Sequence, residues 1–95
     1  MKTESPWTQP LRSLVFDAAA FEDLAWWVER DRSQALRLIR MIREVQRDPF
    51  AGIGKPEALK HELSGCWSRR IDQEHRLVYQ VQNDRIRILS CRYQY

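Results

Sequence analysis

Apolar positions along the chain follow two periods, and the switch between them falls near residue 50. The stretch 11–16 (LRSLVF) is short, apolar and rich in strand-forming side chains, which predicts a first strand. Asp17 follows with an oxygen suited to cap a helix. Behind it Phe21, Leu24, Ala25 and Val28 fall at i, i+3, i+4 and i+7, one face of a helix. Trp26 and Trp27 flank that face, where packing at its edge is the preferred reading over a base-stacking role. Asp31 and Gln34 have the spacing of a capping box. A second helix follows, with Ala35, Leu38, Ile39, Ile42 and Val45 as its apolar stripe and Arg37, Arg40, Arg43 and Arg47 on the other side. A solvated face is the first reading of those arginines; contact with RNA phosphates or with a partner are the others. Pro49 stops the helix, and the tight link between the two helices predicts an antiparallel hairpin.

Residues 50–56 (FAGIGKP) form a loop with two glycines and a proline. Beyond it the period becomes alternating and predicts four strands at 59–64, 67–71, 75–81 and 85–93. Gly65, residues 72–74 and residues 82–84 are the turns, with Asn83-Asp84 a hairpin signal. In the last strand Ile86, Ile88 and Ser90 face one way and Arg85, Arg87, Leu89 and Cys91 the other. The expected fold is therefore α+β, an antiparallel sheet packed against an N-terminal helical hairpin in the order β-α-α-β-β-β-β. The helices cover one apolar face of the sheet, and the other face stays open, as in a single-strand RNA platform. Pro6 and Pro10 discourage regular structure before residue 11, so residues 1–10 are expected to be a flexible tail and 11–95 a single domain.

Composition narrows the classes. Hydrophobic residues at 43% and charged residues at 31% describe a globular chain rather than a disordered one. No apolar run is long enough for a membrane span, and MKTESPWTQP lacks the apolar core of a secretory signal, so a cytoplasmic location is expected. Cys66 and Cys91 stand apart from each other and from any ligand cluster, and read as reduced structural residues. The net charge is +3. Residues 1–50 carry eight basic and eight acidic side chains, whereas residues 51–95 carry eight basic and five acidic. The basic excess of the second half weakly favours an anionic partner.

There is no phosphate-binding Gly-Lys-Ser/Thr loop, no nucleophile elbow and no His pair at helical spacing, so neither a nucleotide cofactor nor a metal is expected. RNA can be cut without a metal. The 2′-hydroxyl needs a base, the phosphorane needs positive charge, and the leaving 5′-oxygen needs a proton. The second half offers Glu57, Lys60, Arg69, Arg70, Arg76, Arg92, Tyr93 and Tyr95 for these tasks, although pattern alone also fits each as an ordinary surface or strand residue.

The stretch DPFAGIGKPEALKHELSGCWSRRIDQEHRLVYQV, followed by the terminal ILSCRYQY, resembles the YoeB toxin family. GKPE, LKH-x-LSG-x-WSRRI, EHRLVY and CRY-x-Y occur in order, and the resemblance runs from about Leu14 to Tyr95. It implies a RelE-like fold and a toxin that cuts mRNA in the ribosomal A site, without metal or cofactor. It implies Glu57 as general base, Arg76 on the transition-state phosphate and Tyr95 in the active site. Lys60, Arg69, Arg70, Arg92 and Tyr93 are the expected RNA contacts, with one of Arg69 and Arg70 alternatively bridging strands only. The family usually ends CRYHY, and its histidine is the expected general acid; here that position is Gln94. A glutamine amide does not titrate near neutrality. The proton then comes from Tyr95, Lys60 or the ribosome, or Gln94 only holds phosphate in a slower enzyme, or the chain is a weakened homologue that occupies ribosomes or co-represses an operon. A purely structural α/β domain is the remaining reading. The resemblance also implies a YefM-like antitoxin with a disordered acidic tail, a possible homodimer, and operator DNA reached only through the antitoxin complex.

Overall fold

The computed structural model describes residues 11–63 and 65–93. The tail expected at 1–10, Ser64, and the terminal Gln94 and Tyr95 lie outside the described residues. The elements run β1 (Ser13–Phe16), α1 (Ala18–Arg30), α2 (Arg32–Arg47), β2 (Glu57–Ala58), a 3-10 turn (His61–Leu63), β3 (Cys66–Arg70), β4 (Arg76–Val81) and β5 (Arg85–Ser90). The five strands lie in the order β1-β5-β4-β3-β2. The α+β class and the element order are those expected from the periodicity. Strands β2 to β5 pair antiparallel, while β1 runs parallel to β5, with Leu14 opposite Ile86 and Phe16 opposite Ile88. The crossover through both helices brings the chain back in that direction.

The helices cover one sheet face. Ala35, Leu38, Met41, Ile42 and Val45 of α2 pack with Ile71, Leu77, Tyr79, Ile86 and Ile88 in one core. Met41, absent from the expected stripe, is fully buried, while Ile39 is only half-buried. In α1 the buried face is turned from the expected one. Phe21 and Val28 are 59% and 54% exposed, whereas Ala20 and Trp27 are buried and the half-buried Leu24 packs against the same core. The indole N–H of Trp27 fixes this rotation by donating to the Cys91 carbonyl at 2.7 Å. Trp27 is thus part of the core rather than a flank of it.

The helix starts differ in how they are capped. Asp31 accepts from the Gln34 N–H at 3.2 Å, as the capping box requires, but the Gln34 amide reaches Asp72 instead of turning back. Asp17 stands at the N-cap of α1 without a side-chain cap bond. Its carboxylate instead takes two bonds from Arg87 on β5, at 2.8 and 3.0 Å.

The strand expected at 59–64 is a correction. Only Glu57 and Ala58 pair with β3, opposite Ser68 and Trp67. His61 then adopts φ 61°, which breaks an extended strand and begins the 3-10 turn. The last strand also ends early. β5 stops at Ser90, and Cys91 turns into the core, fully buried, rather than facing out with Arg85 and Arg87.

Candidate functional site

Register decides which side chains share the open face. Ser68 of β3 lies opposite both Glu57 of β2 and Val78 of β4, and Arg70 lies opposite Arg76. Period-two alternation therefore puts Glu57, Ser68, Arg70 and Arg76 on the face away from the helices. There the guanidinium of Arg76 donates to Ser68 Oγ at 2.5 Å and reaches Glu57 Oε1 at 3.4 Å. The Glu57 side chain is 62% exposed and that of Arg76 19%, so the pair is open to solvent on the carboxylate side. Arg70, Asp72, Gln73 and Arg76 line an open recess of about 410 Å³. A carboxylate and two guanidiniums thus meet on one sheet face, with the buried Ser68 hydroxyl holding Arg76 from beneath, a set able to accept a proton and to bind an anion.

The loop before β2 sets the position of Glu57, and Arg69 anchors it. Arg69 is a correction to the expected RNA contacts: it is fully buried, on the helix-facing side of β3. Its Nε donates to the Tyr79 hydroxyl at 3.1 Å. One terminal nitrogen reaches Glu44 at 3.4 Å and the Ile53 carbonyl at 3.3 Å, and the other the carbonyls of Asp48 at 2.6 Å and Ala51 at 2.9 Å. All five donors of the guanidinium are committed, leaving none for a phosphate. Tyr79 continues the network by donating to the Pro49 carbonyl at 2.6 Å. The loop lies so close that a Cβ on Gly52 would stand 2.5 Å from Glu44 Oε1 and 2.8 Å from the Arg69 guanidinium. A Cβ on Gly54 would lie 2.9 Å from the Arg70 carbonyl. Gly54 also accepts from the Arg70 N–H at 2.6 Å, which begins the pairing that β2 completes.

The remaining expected residues divide. Lys60 is exposed just past Glu57, where its carbonyl accepts from the Leu63 N–H at 3.1 Å. Arg92 is a correction: it does not join the Arg70–Arg76 group. Its guanidinium lies 3.8 Å from the Trp26 ring centroid and donates to the Tyr93 hydroxyl at 2.7 Å. The recess it lines carries Glu22, Asp23 and Glu29, an acidic surround that repels a phosphate. Tyr93 is 55% exposed and its carbonyl accepts from the Arg76 N–H at 3.0 Å, which places it beside the site.

Ser68, Asp72 and His75 escaped the sequence reading. Ser68 was findable, since it sits between Trp67 and Arg69 in a strand whose alternation puts it on the face of Arg70. Asp72 and His75 act through turn geometry, which periodicity does not register. Neither cysteine takes part. Both are free and buried, and burial pushes the Cys91 thiol up to about 12 and the Cys66 thiol up as well.

A short strand, a helical hairpin and an antiparallel meander with a Glu–Arg pair on its open face define a small α+β protein of the RelE-like fold class. The match to the YoeB-like toxins of bacterial type II toxin–antitoxin systems covers residues 16–95. The chain belongs to the YoeB toxin family. It is 56% identical over 85 residues to a YoeB toxin of Mycobacterium bovis, spanning 90% of this chain and 100% of that protein. It is 46% identical over 82 residues to the YoeB toxin of Escherichia coli, spanning 86% and 98%. Among solved structures, a YoeB/ParE toxin from Agrobacterium tumefaciens superposes with TM-score 0.85 at 40% identity, covering 87% of this chain and 99% of that one. A YoeB dimer from Staphylococcus aureus gives 0.83 at 39% identity over 90% and 100%, and a YoeB–YefM complex from the same organism 0.79 at 39% over 88% and 98%.

Proposed function

We propose that this toxin is a ribosome-dependent, metal-free endoribonuclease that cuts mRNA in the A site. The supporting observation is the Glu57–Arg76 pair, held 3.4 Å apart on the open sheet face. Glu57 takes the proton of the ribose 2′-hydroxyl, whose oxygen then attacks the adjacent phosphorus. Arg76 is pinned on one side by Ser68, so its other donors are aimed at the phosphorane oxygens. The bond from phosphorus to the 5′-oxygen breaks, giving a 2′,3′-cyclic phosphate and a 5′-hydroxyl that must gain a proton. Arg70 adds a second positive charge to the same recess. In the free protein Glu57 and Arg76 neutralise each other, and a bound phosphate would displace the carboxylate toward the ribose.

Gln94 cannot supply the leaving-group proton, which leaves Tyr95, Lys60 or a ribosomal group as donor. That substitution also favours a second reading: a slowed homologue whose main role is to occupy the ribosome or to co-repress with its antitoxin. The expected antitoxin is YefM-like, on the precedent of the staphylococcal complex, with an acidic tail over the basic recess. Dimerisation follows the staphylococcal YoeB dimer, and operator DNA is reached only through the antitoxin complex. The test is cleavage mapping of mRNA on programmed ribosomes. Cuts at the A-site codon with native protein, lost with Arg76→Ala and absent on free mRNA, are the expected result. Ribosome binding with no cut at any protein concentration favours the second reading.

A further inference from the structure

The outer face of α2 carries charge that nothing in the fold uses. At about 100° per residue, Arg32, Leu36, Arg40, Arg43 and Arg47 fall within about 80° of one another around the helix. They lie opposite Ala35, Leu38, Ile42 and Val45, which pack on the sheet, and all five are exposed. Among the described residues, none of these four arginines makes an ion pair or a side-chain hydrogen bond. Arg37, grouped with them in the sequence, leaves the set: its Nε donates to the Ile71 carbonyl at 3.1 Å.

The acid best placed to offset the stripe is Glu44, four residues after Arg40 and three before Arg47. Its carboxylate is turned to the loop instead, accepting from the Arg69 guanidinium at 3.4 Å and from the Ile53 N–H at 3.2 Å. Arg40 with Arg43, and Arg43 with Arg47, are left as like-charge neighbours on one face, which works against the helix. An ordinary solvated face mixes signs. The stripe runs about 22 Å along the axis. It faces away from the sheet surface that carries Glu57 and Arg76. With sheet and helix in between, a nucleotide seated at Arg76 does not touch it.

An anion laid along the stripe relieves the repulsion, and the side chains select its kind. The core of a protein interface is poor in charge and anchored by apolar and aromatic groups. Here Leu36 stands alone among four guanidiniums. Guanidiniums meet phosphate oxygens two at a time, and neutralising a polyphosphate backbone releases its condensed counterions. We propose that the α2 stripe is a second RNA-docking face, gripping the phosphate backbone of double-helical ribosomal RNA while the opposite sheet face works on mRNA. The choice of ribosomal RNA rests on the ribosome-dependent reading; affinity for an RNA duplex is a property of the free protein. The contacts go to phosphates rather than base edges, so they are blind to sequence.

The test is binding of the full chain to a short RNA duplex, 2′-O-methylated so that it cannot be cut, across a series of salt concentrations. Native protein should bind duplexes of different sequence equally. Arg40→Gln with Arg43→Gln should make the plot of log affinity against log salt shallower by about 1.8, or about 0.9 for each lost phosphate contact. Glutamine suits a helix, so the fold persists. Arg40→Lys with Arg43→Lys should keep the native slope. So should Arg30→Gln with Arg85→Gln, which removes the same charge from other elements. The affinity of the Gln pair for empty ribosomes should fall about tenfold. A native slope in the Gln pair, an equal fall in the Arg30–Arg85 control, or no duplex binding by native protein at low salt overturns the proposal. Loss of antitoxin binding in the Gln pair at a native duplex slope would assign the face to an acidic protein instead. If native protein cuts no mRNA on ribosomes, the nuclease reading falls while the duplex slopes still decide the stripe.

Discussion

Two neighbouring arginines, Arg69 and Arg70, have opposite fates. Composition makes them equivalent RNA candidates, and alternation along β3 shows that they face opposite ways. Which one faces in depends on the register of β2 to β4, and that is not readable from one strand. Arg69→Met should destabilise the protein by about 3 kcal/mol, because the carbonyls of Asp48, Ala51 and Ile53 lose their donor; urea midpoints measure it. Cys91 supplies a pH test. Its thiol is raised from 9.0 to about 12 by burial, so between those values the unfolded chain ionises while the folded one does not. Stability is complete below about 9 and falls as pH rises toward about 12. At pH 8 thiol reagents should label Cys91 only after denaturation, and fast labelling of native protein would contradict its burial. Gln94→His should speed cleavage if a missing acid limits the rate, by up to about a hundred- to ten-thousandfold. An unchanged, already fast rate would assign the proton to another donor.

The helices show where element-level reasoning holds and where packing overrides it. The Asp31–Gln34 spacing forecast a real cap, and Asp31→Ala should cost about 1 kcal/mol in thermal stability. The same logic placed Asp17 at a helix start correctly and mistook its use, since Arg87 on a distant strand competes for the carboxylate. For α1 the apolar spacing of Phe21, Leu24, Ala25 and Val28 was a valid stripe, but the Trp27–Cys91 bond selects a neighbouring one. Periodicity counts apolar positions and carries no information on a hydrogen bond made 64 residues away. In the loop, Gly54 combines φ 83° with the backbone of Arg70 where a Cβ would stand. Gly54→Ala should cost about 1–3 kcal/mol and lower activity through Glu57, while the same change at Gly65, which faces open space, should cost less.

Across the molecule, the helix-covered face holds the core and the other face carries the Glu57–Arg76 pair. The order β-α-α-β-β-β-β and the basic excess after residue 50 were legible, since both follow from local period and charge. The parallel β1–β5 edge and the short β2 were not, because they depend on long-range pairing. Of the expected site residues, Glu57, Arg70 and Arg76 converge, whereas Arg69 and Arg92 are drawn into the protein by Tyr79 and Trp26. The motifs named these residues together, and burial separates those on the exposed face from those inside. The most direct measurement is the single-turnover rate of mRNA cleavage on programmed ribosomes with native protein and Glu57→Gln side by side. Loss of the base should slow the cut by about a hundred- to ten-thousandfold while ribosome binding persists. Cleavage by Glu57→Gln at the native rate would contradict a carboxylate acting on the ribose beside Arg76.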